Sequence, residues 1–167
     1  MRRRPGARVA VIAPHGGRIE NGTSELARAI AGDDFHLYLF EGALESRTFH
    51  LLHLTSHRFD EPECLALIAD SPYVLAIHGC GGAGRRAYLG GLDVALRDRL
   101  AQALRGAGVD ARTDGHAFPA KHAHNICNRG ASAKGVQLEL THDLRDGPGA
   151  SGFADPLRAE LLRLGAV

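Results

Sequence analysis

Apolar runs of about five residues alternate along this chain with stretches of helical spacing. Runs that short suit strands buried on both faces better than core helices, so the pattern reads as an α/β domain. Strands are expected over residues 8–13, 36–40, 50–54, 73–78, 109–112 and 136–140, and helices over 24–30, 62–69, 93–105 and 155–164. Thr23 and Asp60 are placed to cap two helices, and Gly106, Gly108 and Gly165 to end two others. No repeat or linker divides the 167 residues, a length of about one domain. The expectation is a tail over 1–7 and a single α/β domain over 8–167, with a mixed, mostly parallel sheet flanked by helices. The stretch 146–152 reads as a loop before the last helix.

Charge narrows the classes. Twenty basic against 19 acidic residues leave a net charge of +1, which argues against a nucleic-acid binder and against an acidic tail. Lysine occurs only at Lys121 and Lys134, so the basic residues are otherwise arginines, the side chains that grip carboxylates bidentately; histidine numbers ten. The three cysteines, Cys64, Cys80 and Cys127, form no C-x-x-C pair and read as reduced thiols. The basic start is followed by an apolar run of only five residues, Val9 to Ala13, too short for a signal or membrane segment. A soluble protein without membrane contact, cytoplasmic as synthesised and open to non-classical release, is expected.

Open α/β sheets place their sites beyond the carboxyl ends of the strands. The first strand runs into Pro14-His15-Gly16-Gly17-Arg18-Ile19-Glu20. His15 and Glu20 would stand about 140° apart on a helix and about 16 Å apart on a straight strand, so they meet only if the chain turns back, which Gly16-Gly17 permit. A plain strand-to-helix turn with both side chains exposed is the competing reading. The strand over 73–78 likewise ends in a histidine, His78, before glycine. Two histidines and a carboxylate with an open position form the pattern of catalytic zinc; a core histidine bonded to backbone is the alternative for His78. In Val136-Gln137-Leu138-Glu139-Leu140, alternation puts Gln137 and Glu139 on one face. A carboxylate on so apolar a strand needs a partner, and a general base beside a metal would have one; Glu139 facing solvent on an edge, or pairing with an arginine, is the other possibility.

Further candidates are less specific. Arg129, with Asn128, is suited to hold a substrate carboxylate or an oxyanion; Arg145 and the Arg85-Arg86 pair are secondary candidates against a reading as exposed charges. His122 and His124 would share a side on a strand, but without a third ligand they read as loop residues. His53 to His57, with Ser56 and Asp60, is explained by a strand end and a helix start. Gly79-Cys80-Gly81-Gly82-Ala83-Gly84 fits the dinucleotide fingerprint, yet an extended-looking stretch over 85–91 follows it where a helix should begin.

Ala13-Pro14-His15-Gly16-Gly17-x-Ile19-Glu20-x-Gly22-Thr23-x-Glu25, Tyr38-x-Phe40-Glu41-Gly42, Leu52-His53-Leu54-Thr55-Ser56-x-x-Phe59-Asp60-Glu61-Pro62, Ile77-His78-Gly79, Asn125-Ile126-Cys127-Asn128-Arg129 and Gly135-Val136-Gln137-Leu138-Glu139-Leu140 together resemble the poly-gamma-glutamate hydrolase family. The resemblance spans about residues 8–145. It implies a fold similar to zinc carboxypeptidases, with some members from bacteriophages. It also implies zinc on His15, Glu20 and His78, with Glu139 as catalytic base. The expected function is therefore zinc-dependent hydrolysis of γ-glutamyl amide bonds in polyanionic poly-γ-glutamate, with Asn128, Arg129 and Arg145 as substrate-binding candidates. Two other functions compete: a zinc deacylase acting on small acylated or glutamyl amino acids, and a non-enzymatic anion- or nucleotide-binding domain.

Overall fold

Val9, Val11 and Ala13 alternate with Ala10 and Ile12 along the first strand, and all five are fully buried. A strand apolar on both sides has to be covered on both, which makes a three-layer arrangement the way to bury it. The computed structural model describes residues 1–43, 48–145 and 152–165. In chain order the elements are β1 (Val9–Gly17), α1 (Thr23–Ala31), β2 (His36–Gly42), α2 (Thr48–Leu52), α3 (Pro62–Ile68), β3 (Tyr73–Gly79), β4 (Arg86–Gly90), α4 (Val94–Gly106), β5 (Asp110–Arg112), β6 (Val136–Leu140), α5 (His142–Arg145) and α6 (Ala154–Gly165). They build a six-stranded sheet in the order β2-β1-β3-β6-β4-β5. Strands β2, β1, β3 and β6 are parallel; β4 runs antiparallel to β6, and β5 parallel to β4.

Each sheet face has its own core. Val9, Val11, Leu75, Ile77, Leu138 and Leu140 meet residues of α1, α4 and α6, such as Leu26, Leu100 and Leu161. Ala10, Ile12, Val74 and Ala76 meet Cys64, Leu67 and Ile68 of α3 and Ile126 and Cys127 of a single 3-10 turn (Ile126–Asn128). Phe59 closes this second core, edge-on to Tyr38 and Phe40. The stretch expected as a tail is tied to β2, since Arg2 and Leu37 exchange backbone hydrogen bonds of 2.7 and 2.9 Å.

Several local expectations need correction. Residues 50–54 are not a strand: α2 ends at Leu52, and Leu51 and Leu54 are 63% and 46% exposed. The apolar doublet Leu51-Leu52 lacks the period-two alternation that a strand demands. The extended-looking stretch after the glycine run is a strand in its own right, β4, with Ala87 and Leu89 buried. Because a strand and not a helix follows Gly84, the dinucleotide reading fails. Thr23 is inside α1, and its hydroxyl donates back to the Glu20 carbonyl at 2.7 Å. Glu61, one residue later than expected, caps α3 by accepting from Glu63 and Cys64, with Pro62 at the first helical position. The loop expected at 146–152 lies outside the described residues except for Gly152. Among the described residues, no helix is long and apolar enough to cross a membrane.

A pair of truncations checks the reassignment of residues 50–54. Leu138→Ala, in the fully buried centre of β6, is expected to cost about 2–5 kcal/mol, whereas exposed Leu51→Ala should stay within about 0.5 kcal/mol. Urea denaturation measures both; a large loss at Leu51 would return that segment to the core.

Candidate active site

The turn at the end of β1 brings two distant residue types together. The register of β1 on β2 shifts between Ala13 and Gly16, a bulge that carries His15. Gly17 follows at φ +62°, a backbone angle that side chains disfavour. The chain then folds back, with the Glu20 N–H donating to the His15 carbonyl at 2.9 Å. His15 Nδ1 and Glu20 Oε1 end 3.1 Å apart, both residues buried. On β3, His78 has the same parity as Val74 and Ala76 and faces the α3 side of the sheet, and β6 places Glu139 directly beside it in register. The ends of β1, β3 and β6 thus deliver His15, Glu20, His78 and Glu139 to one edge.

The donor set fits a small divalent cation. His15 Nδ1 lies 3.1 Å from both His78 Nδ1 and Glu20 Oε1, and His78 Nδ1 lies 3.8 Å from Glu20 Oε2. Tetrahedral ligands about 2.0–2.1 Å from zinc would stand about 3.3 Å from one another. Protonation argues the same way. His15 Nε2 is 2.6 Å from the Leu54 carbonyl, which can only accept, so that nitrogen carries the proton. In the neutral ring Nδ1 then offers a lone pair to a carboxylate oxygen and to a second imidazole, an arrangement that a cation resolves. A ring held by a carbonyl on its far nitrogen is the usual support of a metal-binding histidine.

Burial pushes the Glu20 carboxyl upward, but hydrogen bonds with His15 and His53 and the nearby His78 outweigh it and hold the group well below the usual carboxylate range. The Gly79 N–H adds a 2.7 Å bond to Oε2. For His78 burial dominates and pulls the imidazole down to about 3, which keeps it neutral as a ligand must be. Glu139 is displaced the other way: burial and the charge of Glu20 raise its carboxyl well above the ordinary value, with Arg145 and Gln137 opposing. Gln137 donates to Glu139 Oε1 at 2.8 Å and accepts from Asn125 at 2.9 Å, so a buried amide relay fixes the carboxylate. These groups line a cleft of about 430 Å³ together with Thr55, Ser56, Cys80 and Phe118. The Cys80 thiol is pushed up to about 11 by burial and by Glu139, so it stays protonated.

Sequence reasoning missed His53. Its Nε2 is 3.2 Å from Glu20 Oε1 and its ring lies 4.1 Å from that of His15. By proximity, His15, Glu20 and His53 also form a cluster able to share an ion, with ligand atoms all within 4.8 Å. His78 is the nearer of the two to His15, at 3.1 Å, and His53 the nearer to Glu20, at 3.2 against 3.8 Å, so both histidines stand within reach of an ion held by His15 and Glu20. The end of α2 at Leu52 and the turn after it are what carry His53 to the cleft.

The arginine and asparagine candidates are placed differently from expectation. Asn128 is buried; its oxygen accepts from the Leu92 and Gly135 N–H groups, and its amide donates to the Ala120 and His122 carbonyls. With its bonding capacity taken, it holds loops in place and has nothing left for a substrate. Arg129 donates to the Phe59 carbonyl at 3.3 Å. Arg145 is buried, not an exposed charge, and donates to the carbonyls of Leu140, Asn21 and Cys80. It presses on Gly79 so closely that a Cβ there would stand 2.5 Å from the guanidinium carbon. Arg85 is exposed, and Arg86 pairs with Asp110 at 2.7 Å. His122 and His124 lie in a loop, as expected.

Comparison with known proteins follows the same lines. The sequence profile described as poly-gamma-glutamate hydrolase matches residues 1–147. In Bacillus subtilis (strain 168), UPF0714 protein YmaC is 36% identical over 143 residues, covering 84% of this chain and 60% of its own. The SPbeta prophage-derived UPF0714 protein YoqZ of the same strain is 35% identical over 140 residues, covering 83% and 50%. The chain thus spans about half to three fifths of the length of the curated relatives it matches. A solved bacteriophage poly-gamma-glutamate hydrolase superposes with a TM-score of 0.89 at 29% identity, covering 97% of this chain and 86% of that one. A zinc-free apo structure of YndL gives 0.88 at 27% identity, covering 99% and 89%. With the profile matched over most of its length, the chain belongs to the poly-gamma-glutamate hydrolase family.

Proposed function

We propose that this protein hydrolyses γ-glutamyl amide bonds of poly-γ-glutamate with the help of zinc. The observation that carries the reading is the meeting of His15, Glu20, His78 and Glu139 in one cleft at the ends of three parallel strands. The phage hydrolase of the same fold supports the substrate class, and the zinc-free description of the YndL structure supports the metal. His15, Glu20 and His78 would hold the ion, with His53 and the Leu54 carbonyl orienting Glu20 and His15 from behind. When bound, zinc supplies Lewis-acid polarisation of the amide carbonyl and makes water easier to deprotonate.

Glu139 takes a proton from the attacking water as its oxygen bonds to the carbonyl carbon. It then gives the proton to the departing nitrogen as the C–N bond breaks. A carboxyl raised by burial is a better base than one in water, which suits this exchange. Gln137 keeps it in one orientation. Arg145, whose donors are held by backbone carbonyls, offsets the negative charge of Glu139 instead of gripping substrate.

Three outcomes are expected. Glu139→Gln should lower kcat on poly-γ-glutamate by about 10²–10⁴-fold, the usual worth of a general base, while polymer binding persists; chain shortening followed by size-exclusion chromatography measures it, and an active variant would falsify the mechanism. The same assay with a short N-acyl-glutamate separates polymer cleavage from small-molecule deacylation. Second, adding zinc to chelated protein at about a hundredfold excess over Kd should raise Tm by about 5–10 °C. His78→Ala or Glu20→Ala should abolish that rise, and an intact rise in both would place the ion elsewhere.

The third concerns pH. A carboxyl whose folded value is raised stabilises the fold only below its unfolded value, and that stability is lost as pH rises through the folded value. Metal-free Glu139→Gln, which lacks this loss, should therefore melt above the metal-free wild type at pH 8, by about 2–4 °C for each kcal/mol recovered. The gap should close as pH falls toward the ordinary carboxyl range. A gap that widens on acidification would mean Glu139 is stabilised as a charge.

A further inference from the structure

The cleft does not end at Glu20. A second cavity, of about 260 Å³, adjoins it: Glu20, Gly79, Cys80 and Gly81 line both, and the second continues between Arg18, His142 and Arg145. Its walls are cationic, and that charge is not matched inside the protein. Arg145 is buried and donates to three neutral carbonyls, and among the described residues no carboxylate forms an ion pair with it. Arg18 is exposed, and among the described residues nothing bonds its side chain. The charge of Glu20 is already taken up by His15, His53 and the Gly79 N–H. A buried cation without an anion is costly, and an anion arriving from outside offsets that cost.

Gly81 lies where the two cavities meet. A Cβ there would touch nothing within 4 Å and its φ is not positive, so the fold itself has no need of glycine at this position. Its N–H and that of Gly82 have no acceptor among the described residues. Backbone N–H groups that no side chain covers are suited to receive carboxylate oxygens. We infer that the second cavity takes the free carboxylate of the glutamyl residue whose γ-carbonyl is attacked, with Arg18 and the Gly81 N–H as its direct partners and Arg145 as the charge beneath. That carboxylate stands four bonds from the carbonyl carbon, a reach of about 5 Å. The cavity shares Glu20 with the cleft but not Glu139. It therefore opens away from the group that hands a proton to the departing nitrogen, and meets the acyl half of the substrate. This rests on the reading of the cleft as a poly-γ-glutamate hydrolase.

The test uses 4-aminobutyrate, which has the same backbone as a γ-linked glutamate but lacks the carboxylate. Zinc-loaded protein is given γ-linked glutamate hexamers, in the D and the L series, each with 4-aminobutyrate at one position, and mass spectrometry of the products gives the rate at every bond. The amide whose carbonyl comes from 4-aminobutyrate should be cut about 10–100-fold more slowly than the same amide in the all-glutamate hexamer. Arg18→Gln and Gly81→Ala should each shrink that ratio to within about threefold, and Gly81→Ala should do so with Tm within about 2 °C of the wild type. A wild-type ratio near one, or an undiminished ratio in both variants, overturns the carboxylate site and leaves the hydrolase standing. Failure of the wild type to cut either the all-glutamate hexamers or poly-γ-glutamate overturns the hydrolase, and the carboxylate site with it.

Discussion

A carboxylate removed from water stays ionised only where cations or hydrogen-bond donors surround it. Glu20 meets that condition with a backbone N–H from β3, a histidine from its own turn and a histidine from the segment after α2, while His78 stands just beyond. Each of these groups belongs to a different part of the chain, so keeping Glu20 charged requires β1, β3 and the 53–56 segment to be docked at once. The site is in this sense a product of the assembled sheet: no single motif contains it. The opposite displacement of Glu139, on β6, comes from its own burial and then from the nearby charge of Glu20. Two carboxylates in one cleft are pushed apart in acidity, one held ionised and the other toward keeping its proton.

The parts of this arrangement visible in the sequence are those fixed by local rules. The all-apolar runs of β1 and β3, each reaching a histidine next to glycine, identify central strands and their functional ends. Period-two alternation puts Glu139 on the correct face of β6, and the two glycines after His15 announce the return that brings Glu20 back. His53 was hidden because its position follows from how α2 and the loop after it pack, and a doublet of leucines gives little local signal. Asn128 and Arg145 look like binding residues in sequence because their side chains suit the grip of a carboxylate or an oxyanion. Their actual partners are backbone groups remote in sequence, Leu92 and Gly135 for one, Asn21 and Cys80 for the other, which no local pattern reveals.

The asparagines of Asn125-Ile126-Cys127-Asn128 therefore belong to the scaffold of the site. Asn125 caps the short 3-10 turn with its oxygen and passes its amide to Gln137, while Asn128 collects four backbone groups from three loops. Apolar Ile126 and Cys127 anchor the turn in the second core. A buried polar network with its donors and acceptors matched in this way defines one geometry, since any shift leaves a group unpaired in a poorly solvated place. Loop positions that bear chemistry are thereby held with the rigidity of the strands beneath them.

The exchange of hydrogen bonds between Arg2 and Leu37 also bears on the edge of the sheet. β2 is an outermost strand, and an uncovered margin of a sheet is a template on which another molecule can add its own strand. Arg2 occupies part of that margin, and its guanidinium reaches over to the Gly32 carbonyl. Residue 2 thus satisfies backbone groups of Leu37 that an uncovered edge would leave open to another strand, at the far border of the sheet from β5.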